Sequence, residues 1–297
     1  MNTSEMAAHA ARGAGFIAAL DQSGGSTPGA LHLYGIPDTA YHGDAEMFAL
    51  MHDMRVRIMT SPAFTGEKVM GTILFENTML GQAAGVPVPA FLRQRGVVPF
   101  LKVDKGLDAE ADGVSLMKPI PGLNALLAKA MELGVYGTKM RSTVNLPSPG
   151  GIAAIVAQQF AVAAQITVAG LMPIIEPEVL IKSPDKAGAE AILRAELLKA
   201  VEMLPQGGQV MLKLTIPEEP DFYRDLVQHP RVARVVALSG GYARPEACRR
   251  LAANHGMIAS FSRAMTDGLQ HSMSDEAFDA ALARSIAEIY KASTDKV

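Results

Sequence analysis

The feature of this chain that most restricts its fold is a regular alternation between short apolar runs and longer stretches of helical spacing. Each short run is rich in β-type residues and is followed by a polar or Gly/Pro break, then by an Ala-, Leu- or Met-rich stretch. This pattern is typical of parallel β/α units. The eight predicted strands occupy residues 15–22, 69–76, 97–103, 134–141, 171–176, 209–216, 232–238 and 257–262.

Predicted helices lie between these strands, and no Pro/Gly/Ser-rich linker or block of charge marks a domain boundary. The pattern therefore predicts an α/β fold with a single domain over residues 1–297, a (β/α)8 TIM barrel. A doubly wound open sheet is the alternative. Residues 79–95 are predicted to form a loop-and-helix insertion. The main predicted helices are 44–61, 122–133, 150–168, 188–204, 221–228, 244–255 and 275–290.

Composition and charge limit the classes of partner. The chain is 49% hydrophobic and lacks Trp, so small aliphatic side chains must build its interior. A formal charge of −3 disfavours nucleic acid and anionic membranes as partners, and leaves small anions as ligands. The N-terminus lacks a basic region followed by an apolar core, and we expect no stretch near the roughly 20 apolar residues of a membrane span. A cytoplasmic protein is predicted.

The residues that most often bind metals show no metal-binding pattern. Cys248 is the only cysteine, so no intrachain disulfide can form, and its setting predicts a helix residue without a chemical role. The seven histidines are scattered, with no HxH or HExxH spacing, and His52 is predicted to be a packed or surface residue. We therefore predict neither a metal nor a cofactor.

Lys213 lies inside an apolar predicted strand, where a charge is costly. The run 209–217 reads QVMLKLTIP. If Lys213 is buried there, desolvation disfavours the ammonium form and leaves an amine that is able to attack a carbonyl. A lysine that reaches from a strand edge to water is the alternative interpretation.

Almost all of the remaining predicted strands also end in a polar residue. Ligands of (β/α)8 barrels bind at the carboxyl ends of the strands, so these residues are candidates for one shared site. The candidates are Asp21, Lys102, Lys139, Arg141, Glu176, Glu178, Lys213, Ser239 and Arg263.

The two-residue period of a strand adds a test, because residues two apart share a face. Lys139 shares a face with Arg141, and Glu176 shares one with Glu178. If these faces point inward, three cations and two carboxylates meet in a small mouth of low dielectric. We expect the neighbouring cations to favour the neutral amine of Lys213.

Two segments are suited to binding phosphate. Ser239-Gly240-Gly241 follows a strand and precedes a helix, so its bare N–H groups can approach an anion, with Arg263 as the charged partner. Residues 21–27 (DQSGGST) form a second Gly-bracketed loop with hydroxyl groups. A substrate with a phosphate at each end would explain both.

Taken in chain order, these motifs resemble the class I fructose-1,6-bisphosphate aldolases. The resemblance spans nearly the whole chain, and the length resembles the short bacterial form more than the longer animal enzymes. The segments that carry it are 20–23 (LDQS), 101–106 (LKVDKG), 139–141 (KMR), 174–178 (IIEPE), 212–213 (LK) and 238–241 (LSGG).

The resemblance implies a role for each charged residue. Lys213 would form a Schiff base with the C2 ketone, and Glu176 would be the acid/base for dehydration of the carbinolamine. Lys139 would assist electrostatically, and Asp21 would accept the proton of the C4 hydroxyl. Glu178 and Arg141 would hold this charge network.

The resemblance also implies which phosphate each loop binds. The C1-phosphate site would contain Ser239, Gly240 and Arg263. The C6 phosphate would lie toward Lys102, Ser23 and Ser26.

Several residues depart from the family pattern. Gln22 stands where the family usually has Glu, and residues 260–263 read Ser-Phe-Ser-Arg where the animal enzymes have Ser-Tyr-Gly-Arg. The long C-terminal tail ending in tyrosine is missing, and Tyr290 lies in the last predicted helix. The first phosphate loop also lacks the arginine that follows it in the animal forms. The group that protonates the enamine is therefore left open.

The sequence predicts a metal-independent aldolase that reversibly cleaves fructose 1,6-bisphosphate into dihydroxyacetone phosphate and glyceraldehyde 3-phosphate in glycolysis and gluconeogenesis. Sedoheptulose 1,7-bisphosphate is a second candidate substrate, and homo-oligomerisation is left open. One alternative is another lysine-iminium barrel, such as a transaldolase or a deoxyribose-phosphate aldolase, which would not need two phosphate loops. A non-catalytic sugar-phosphate-binding scaffold is the other, and it leaves Lys213, Glu176 and Asp21 unexplained.

Overall fold

In the computed structural model, which describes residues 1–23 and 25–297, eight parallel strands pair side by side in chain order. The backbone N–H of Ala19 donates to the carbonyl of Phe261 at 3.0 Å, so the first strand also meets the segment that follows the last. The sheet is a nearly closed (β/α)8 barrel, and the doubly wound alternative is wrong. The strands are β1 (Phe16–Leu20), β2 (Val69–Leu74), β3 (Val98–Lys102), β4 (Gly137–Val144), β5 (Met172–Val179), β6 (Val210–Thr215), β7 (Val232–Leu238) and β8 (Ile258–Ala259).

Helices precede, connect and follow the strands. They are α1 (Thr3–Arg12), α2 (Thr27–Leu33), α3 (Gly43–Thr60), α4 (Glu76–Leu80), α5 (Val88–Gln94), α6 (Leu123–Glu132), α7 (Pro149–Val168), α8 (Lys186–Glu202), α9 (Arg224–Gln228), α10 (Arg244–Ala252), α11 (Arg263–Thr266) and α12 (Asp275–Thr294).

The barrel interior has an apolar floor and a charged mouth. Residues two apart on a strand share a face, so an inward apolar residue is followed, two positions later, by an inward residue nearer the carboxyl end. The inward apolar cluster contains Ala19, Phe100, Ile174 and Met211. Two residues beyond each of them stand Asp21, Lys102, Glu176 and Lys213, which are the charged groups of the mouth.

Helix α1, which the apolar pattern did not predict, closes the amino end of the barrel. Its first turn has a capping box: Asn2 Oδ1 accepts from the Glu5 N–H at 2.9 Å, and the Glu5 carboxylate accepts from the Asn2 N–H at 2.8 Å. Met6 and Ala10 are buried within the inward apolar cluster. Arg234 of β7 donates to the carbonyl of Ala10 at 3.3 Å. A helix of mixed polarity thus covers the apolar floor.

The structure corrects several predicted boundaries. Strand β4 begins at Gly137 rather than at 134, because Gly134 has a φ of +78° and ends the turn after α6. Strands β4 and β5 both run three residues further than predicted, since their register continues to the pair Val144 and Val179. Only two residues of the predicted eighth strand, 257–262, are in β8. Residues 82–94 contain a short hairpin followed by α5.

The expectation that no stretch would reach the length of a membrane span is wrong. Helix α7 has 20 residues and a mean hydropathy of 1.6 in its most apolar window, so it passes that test by length and composition. It packs on the outside of β4 and β5. Its buried residues include Ile152, Ile155, Val156 and Ile166, as required of a barrel helix.

Candidate active site

A cavity of about 670 Å³ opens at the carboxyl ends of the strands, as the fold requires. All thirteen residues that the sequence analysis selected line this cavity. They are Asp21, Ser23, Ser26, Lys102, Lys139, Arg141, Glu176, Glu178, Lys213, Ser239, Gly240, Gly241 and Arg263.

Lys213 lines the cavity and is only 4% exposed, which excludes the interpretation of a lysine that reaches to water. Its Nζ lies 3.1 Å from Glu176 Oε1. Lys139 Nζ lies 2.9 Å from Glu176 Oε2 and 2.7 Å from Asp21 Oδ2. Four buried side chains therefore form a row of alternating charge. The predicted cations and carboxylates do meet at this mouth, and a carboxylate, Glu176, stands between Lys213 and Lys139.

The protonation states within this row follow from its geometry. Burial alone would raise the pKa of Asp21, but the charges of Lys139 and Lys213 outweigh it and hold the pKa well below the ordinary value. Burial would likewise raise the pKa of Glu176, but the charges of Lys139 and Lys213 outweigh it and lower that pKa. Burial works to lower the pKa of Lys139, but Asp21 and Glu176 outweigh it and raise that pKa. Lys139 is thus a permanent cation between two carboxylates.

A second ion pair lies closer to the opening. Arg141 Nε donates to Glu178 Oε2 at 2.6 Å. Burial opposes the charge of Arg141, but Glu178 outweighs it and raises the pKa of the guanidinium. Arg141 shares a strand face with Lys139 on β4, and Glu178 shares one with Glu176 on β5. The ion pair therefore holds the two charged side chains that lie nearest the opening on these faces.

The Ser239-Gly240-Gly241 turn is shaped for close approach to an anion. Gly240 and Gly241 have φ values of +60° and +114°, which favour glycine. A Cβ on Gly240 would come within 2.6 Å of the Ile181 side chain, so the turn has no room for a larger residue there. The guanidinium of Arg263 lies beside Gly241. No carboxylate pairs with Arg263 among the residues that the structure describes.

The loop after β1 and the end of β3 bring hydroxyls and a paired cation to the same cavity. Ser26 Oγ donates to the Ser23 carbonyl at 3.0 Å and accepts from the Ser23 N–H at 3.1 Å, so this hydroxyl also holds the loop together. Lys102 Nζ donates to Asp104 Oδ1 at 2.6 Å. A phosphate at this end would share Lys102 with Asp104.

Sequence reasoning missed three residues that support the site from behind. Gln159 of α7 is fully buried, and its Oε1 accepts from the backbone N–H of Glu176 at 2.9 Å. Arg55 of α3 is 1% exposed and donates to the Gln22 carbonyl. Asp104 holds Lys102. Arg55 could have been found, because a charged residue within an apolar helical pattern indicates a buried charge with a role. Gln159 could not, because a glutamine within a helix is ordinary.

Other candidates lie away from this chemistry. In the parts of the chain that the structure describes, no three His, Cys, Asp or Glu side chains cluster to hold a metal ion. His52 is half-buried, with its Nε2 3.1 Å from the carbonyl of Gln82. Cys248 is half-buried on α10, and burial raises the pKa of its thiol to about 11. The thiol is a poor nucleophile in that setting.

A lysine buried against a carboxylate at the carboxyl end of a (β/α)8 barrel is the arrangement expected of a Schiff-base lyase. Comparison with known proteins then gives the family. The family model "Glycolytic: Fructose-bisphosphate aldolase class-I" matches residues 7–217. The chain is 57% identical over 280 residues to fructose-bisphosphate aldolase class 1 of Synechocystis sp., which covers 94% of this chain and 93% of that protein. The chain belongs to the class I fructose-bisphosphate aldolase family.

Solved structures share the fold at lower identity. Fructose-bisphosphate aldolase from Plasmodium falciparum, solved in complex with TRAP and a small-molecule inhibitor, has a TM-score of 0.78 at 22% identity. That likeness covers 99% of this chain and 95% of the other. A protein from Corynebacterium glutamicum gives a TM-score of 0.55 at 13% identity, over 98% of this chain and 92% of the other. Both likenesses concern the barrel alone.

Proposed function

We propose that this chain reversibly cleaves fructose 1,6-bisphosphate to dihydroxyacetone phosphate and glyceraldehyde 3-phosphate through an iminium on Lys213. The observation that carries the proposal is the buried row Lys213, Glu176, Lys139 and Asp21, with contacts of 3.1, 2.9 and 2.7 Å along it. The row supplies an amine, a proton carrier and a base around one fixed cation.

The contact between Lys213 and Glu176 prepares the first step. When Lys213 gives a proton to Glu176, the transfer produces a neutral amine and loads the acid at the same time. The amine adds to the C2 carbonyl to give a carbinolamine. Glu176 returns the proton to the leaving hydroxyl, water departs, and a protonated iminium remains. Lys139 stays charged throughout and stabilises the carboxylate form of Glu176.

Asp21 takes the proton in the carbon–carbon cleavage. Its lowered pKa keeps it ionised, so it is ready to accept a proton. The C4 hydroxyl becomes strongly acidic as the C3–C4 bond breaks, because the product is an aldehyde. The bonding electrons flow to the iminium and give an enamine, and glyceraldehyde 3-phosphate leaves. Protonation at C3 and hydrolysis by water release dihydroxyacetone phosphate and restore Lys213.

The two ends of the cavity favour a substrate with two phosphates. Among the described residues, the Arg263 guanidinium has no carboxylate partner and the N–H groups of Gly240 and Gly241 donate to no backbone carbonyl, so both are available to the C1 phosphate. Lys102, Ser23 and Ser26 are proposed for the C6 end. Sedoheptulose 1,7-bisphosphate remains a second candidate substrate. We further propose that residues 1–297 form one domain and that the protein is cytoplasmic.

A steady-state panel tests this proposal. We expect cleavage of fructose 1,6-bisphosphate with the highest kcat/KM, cleavage of sedoheptulose 1,7-bisphosphate, and weak cleavage of fructose 1-phosphate, all unchanged by EDTA. Loss of activity in EDTA, or a preference for an unphosphorylated ketose, would contradict it.

The phosphate assignment has its own test. Arg263→Ala should raise KM for fructose 1,6-bisphosphate at least tenfold, because a charge-assisted contact contributes about 1.5–3 kcal/mol. Arg284→Ala, at an exposed position on α12 outside the cavity, is the matched control and should leave KM unchanged. Equal KM values in the two variants would remove Arg263 from the site.

A further inference from the structure

Two residues outside the catalytic row link the loop after β1 to the segment that carries Arg263. Gln22 Nε2 donates to Ser262 Oγ at 2.7 Å, across 240 positions of the chain. Gln22 directly follows Asp21, and Ser262 directly precedes Arg263. Gln22 and Arg263 also both line a second, small cavity of about 20 Å³ beside the first. The bond therefore joins the residue after the proposed general base to the residue before the proposed phosphate cation.

The bond lies where no strand ladder closes the barrel wall among the described residues. Strand β8 has only two residues, and among the described residues β1 and β8 do not form a ladder. One backbone bond, from Ala19 to Phe261, closes the wall deeper in the barrel. The Gln22–Ser262 bond is the next link toward the mouth. Further along the two segments, the His271 N–H donates to the Tyr34 carbonyl at 2.7 Å and Gln270 donates to the Leu33 carbonyl at 2.9 Å. The Gln22–Ser262 bond is the link that directly adjoins Arg263 in the chain.

The Gln22 side of this link is anchored from below. Arg55 donates to the Gln22 carbonyl and, through a second nitrogen, to Thr78 Oγ1 at 2.8 Å. Arg55 is almost fully buried, and none of its hydrogen-bond partners is a carboxylate. Burial lowers the pKa of the Arg55 guanidinium to about 10, and the charge of Asp21 opposes that shift, so Arg55 stays charged while it holds the Gln22 backbone.

We propose that Gln22 and Ser262 are positioning residues that hold Arg263 against the Gly240-Gly241 turn and so set the affinity for the C1 phosphate. The inference rests on the proposed function for the identity of that phosphate. It assigns a purpose to two positions at which this chain departs from the family pattern, Gln22 for Glu and Ser262 for Gly. Neither side chain touches the reacting carbons in this account.

A double-mutant cycle on Gln22→Met and Ser262→Ala tests the proposal. Each change removes one hydrogen-bonding partner with little change in size, and Ser262→Thr is the conservative control that keeps the hydroxyl. The first readout is the dissociation constant of inorganic phosphate by calorimetry, which requires no turnover. The second is aldol condensation, in which KM for dihydroxyacetone phosphate reports the C1 end and KM for glyceraldehyde 3-phosphate reports the other.

We expect each single variant to weaken phosphate binding and to raise KM for dihydroxyacetone phosphate about fivefold, the value of one ordinary hydrogen bond. The double variant should be no worse than either single one, because both lose the same contact. Ser262→Thr, KM for glyceraldehyde 3-phosphate and kcat should stay within about twofold of the wild type. This split between the two KM values is not expected of a purely structural contact.

Three results would overturn the inference: an unchanged phosphate dissociation constant, additive effects in the cycle, or an equal rise of both KM values. Failure of the proposed function is a separate result. A wild-type protein that cleaves no ketose bisphosphate would refute the reaction, and the phosphate titration would still decide the role of Gln22 and Ser262.

Discussion

At the scale of single residues, the site concentrates buried charge in a way that serves reactivity more than stability. Lys213, Glu176, Lys139 and Asp21 are each less than 10% exposed. Desolvating such groups costs several kcal/mol for each ion, and the Coulomb attraction along the row offsets that cost only while the row is complete. The two lysines differ in this respect, because Lys139 serves two carboxylates and Lys213 serves one.

This asymmetry predicts different outcomes for two similar substitutions. Lys213→Met should abolish cleavage and leave the free energy of unfolding within about 1 kcal/mol of the wild type, since Glu176 keeps Lys139 as a partner. Lys139→Met should cost about 3–5 kcal/mol, because Asp21 loses its 2.7 Å partner. Urea unfolding of both variants at pH 7 measures the difference. Equal losses of stability would show that the row does not work as described.

The lowered pKa of Asp21 predicts how stability depends on pH. The folded pKa lies below the unfolded value of about 3.9, so the contribution of Asp21 is complete above that value and is lost as the pH falls below it. The gap in unfolding free energy between the wild type and Asp21→Asn should therefore be constant from pH 7 to about pH 5 and narrow toward pH 3. Urea midpoints across this range check it. A gap that is constant down to pH 3 would contradict the assignment.

Much of the residue scale could be predicted, because strand geometry determines which side chains share a face. Lys139 with Arg141, and Glu176 with Glu178, were paired from the two-residue period alone, and the cavity holds all four. The order of the charges could not be predicted. The two-residue period of a strand shows which residues share a face with Glu176 and with Lys213. It does not determine that the Glu176 carboxylate stands between Lys213 and Lys139.

At the scale of elements, the contact between α7 and β5 supports the proton carrier. The ladder between β5 and β6 ends at the pair Ile175 and Leu212, one residue short of Glu176 and Lys213. The next residue, Pro177, has no N–H to donate. Gln159 reaches in from α7 and accepts from the Glu176 N–H. The backbone of Glu176 is thus held by a helix where β6 no longer pairs with it.

Gln159→Leu should therefore affect both stability and turnover. We expect a loss of about 1–3 kcal/mol from the unpaired N–H, and a kcat lower by about tenfold to a hundredfold from the displaced carboxylate, with KM little changed. Gln158→Leu is a matched control, since Gln158 bonds the backbone of Met117 from the same helix at 2.9 Å. The control should lose stability and keep its kcat. A Gln159 variant with normal kcat would show that Glu176 needs no such support.

Element prediction failed where burial depends on distant parts of the chain. Helix α1 has an amphipathic pattern with only Met6 and Ala10 buried, and nothing local shows that these two close a barrel. The extra residues at the ends of β4 and β5 are in strand conformation because the two strands continue to pair with each other as far as Val144 and Val179. Apolar periodicity reports burial along an element, whereas capping by a helix and continuation of a register are tertiary effects.

At the scale of the whole molecule, the alternation of strands and helices was enough to predict the barrel, because eight units without a linker have few other ways to bury both faces of a parallel sheet. The closure of the barrel could not be predicted. One backbone bond and the Gln22–Ser262 contact join β1 and the loop after it to the segment after β8, and neither has a periodic signature. That seam separates the two proposed phosphate ends.

The most direct test of the central claim is reductive trapping of the iminium. The protein is incubated with dihydroxyacetone phosphate, reduced with borohydride, and digested for peptide mass spectrometry. A reduced triose phosphate adduct on Lys213, absent without dihydroxyacetone phosphate and absent in Lys213→Met, is the predicted result. An unmodified Lys213 in a protein that cleaves its substrate, or an adduct on another lysine, would contradict the account.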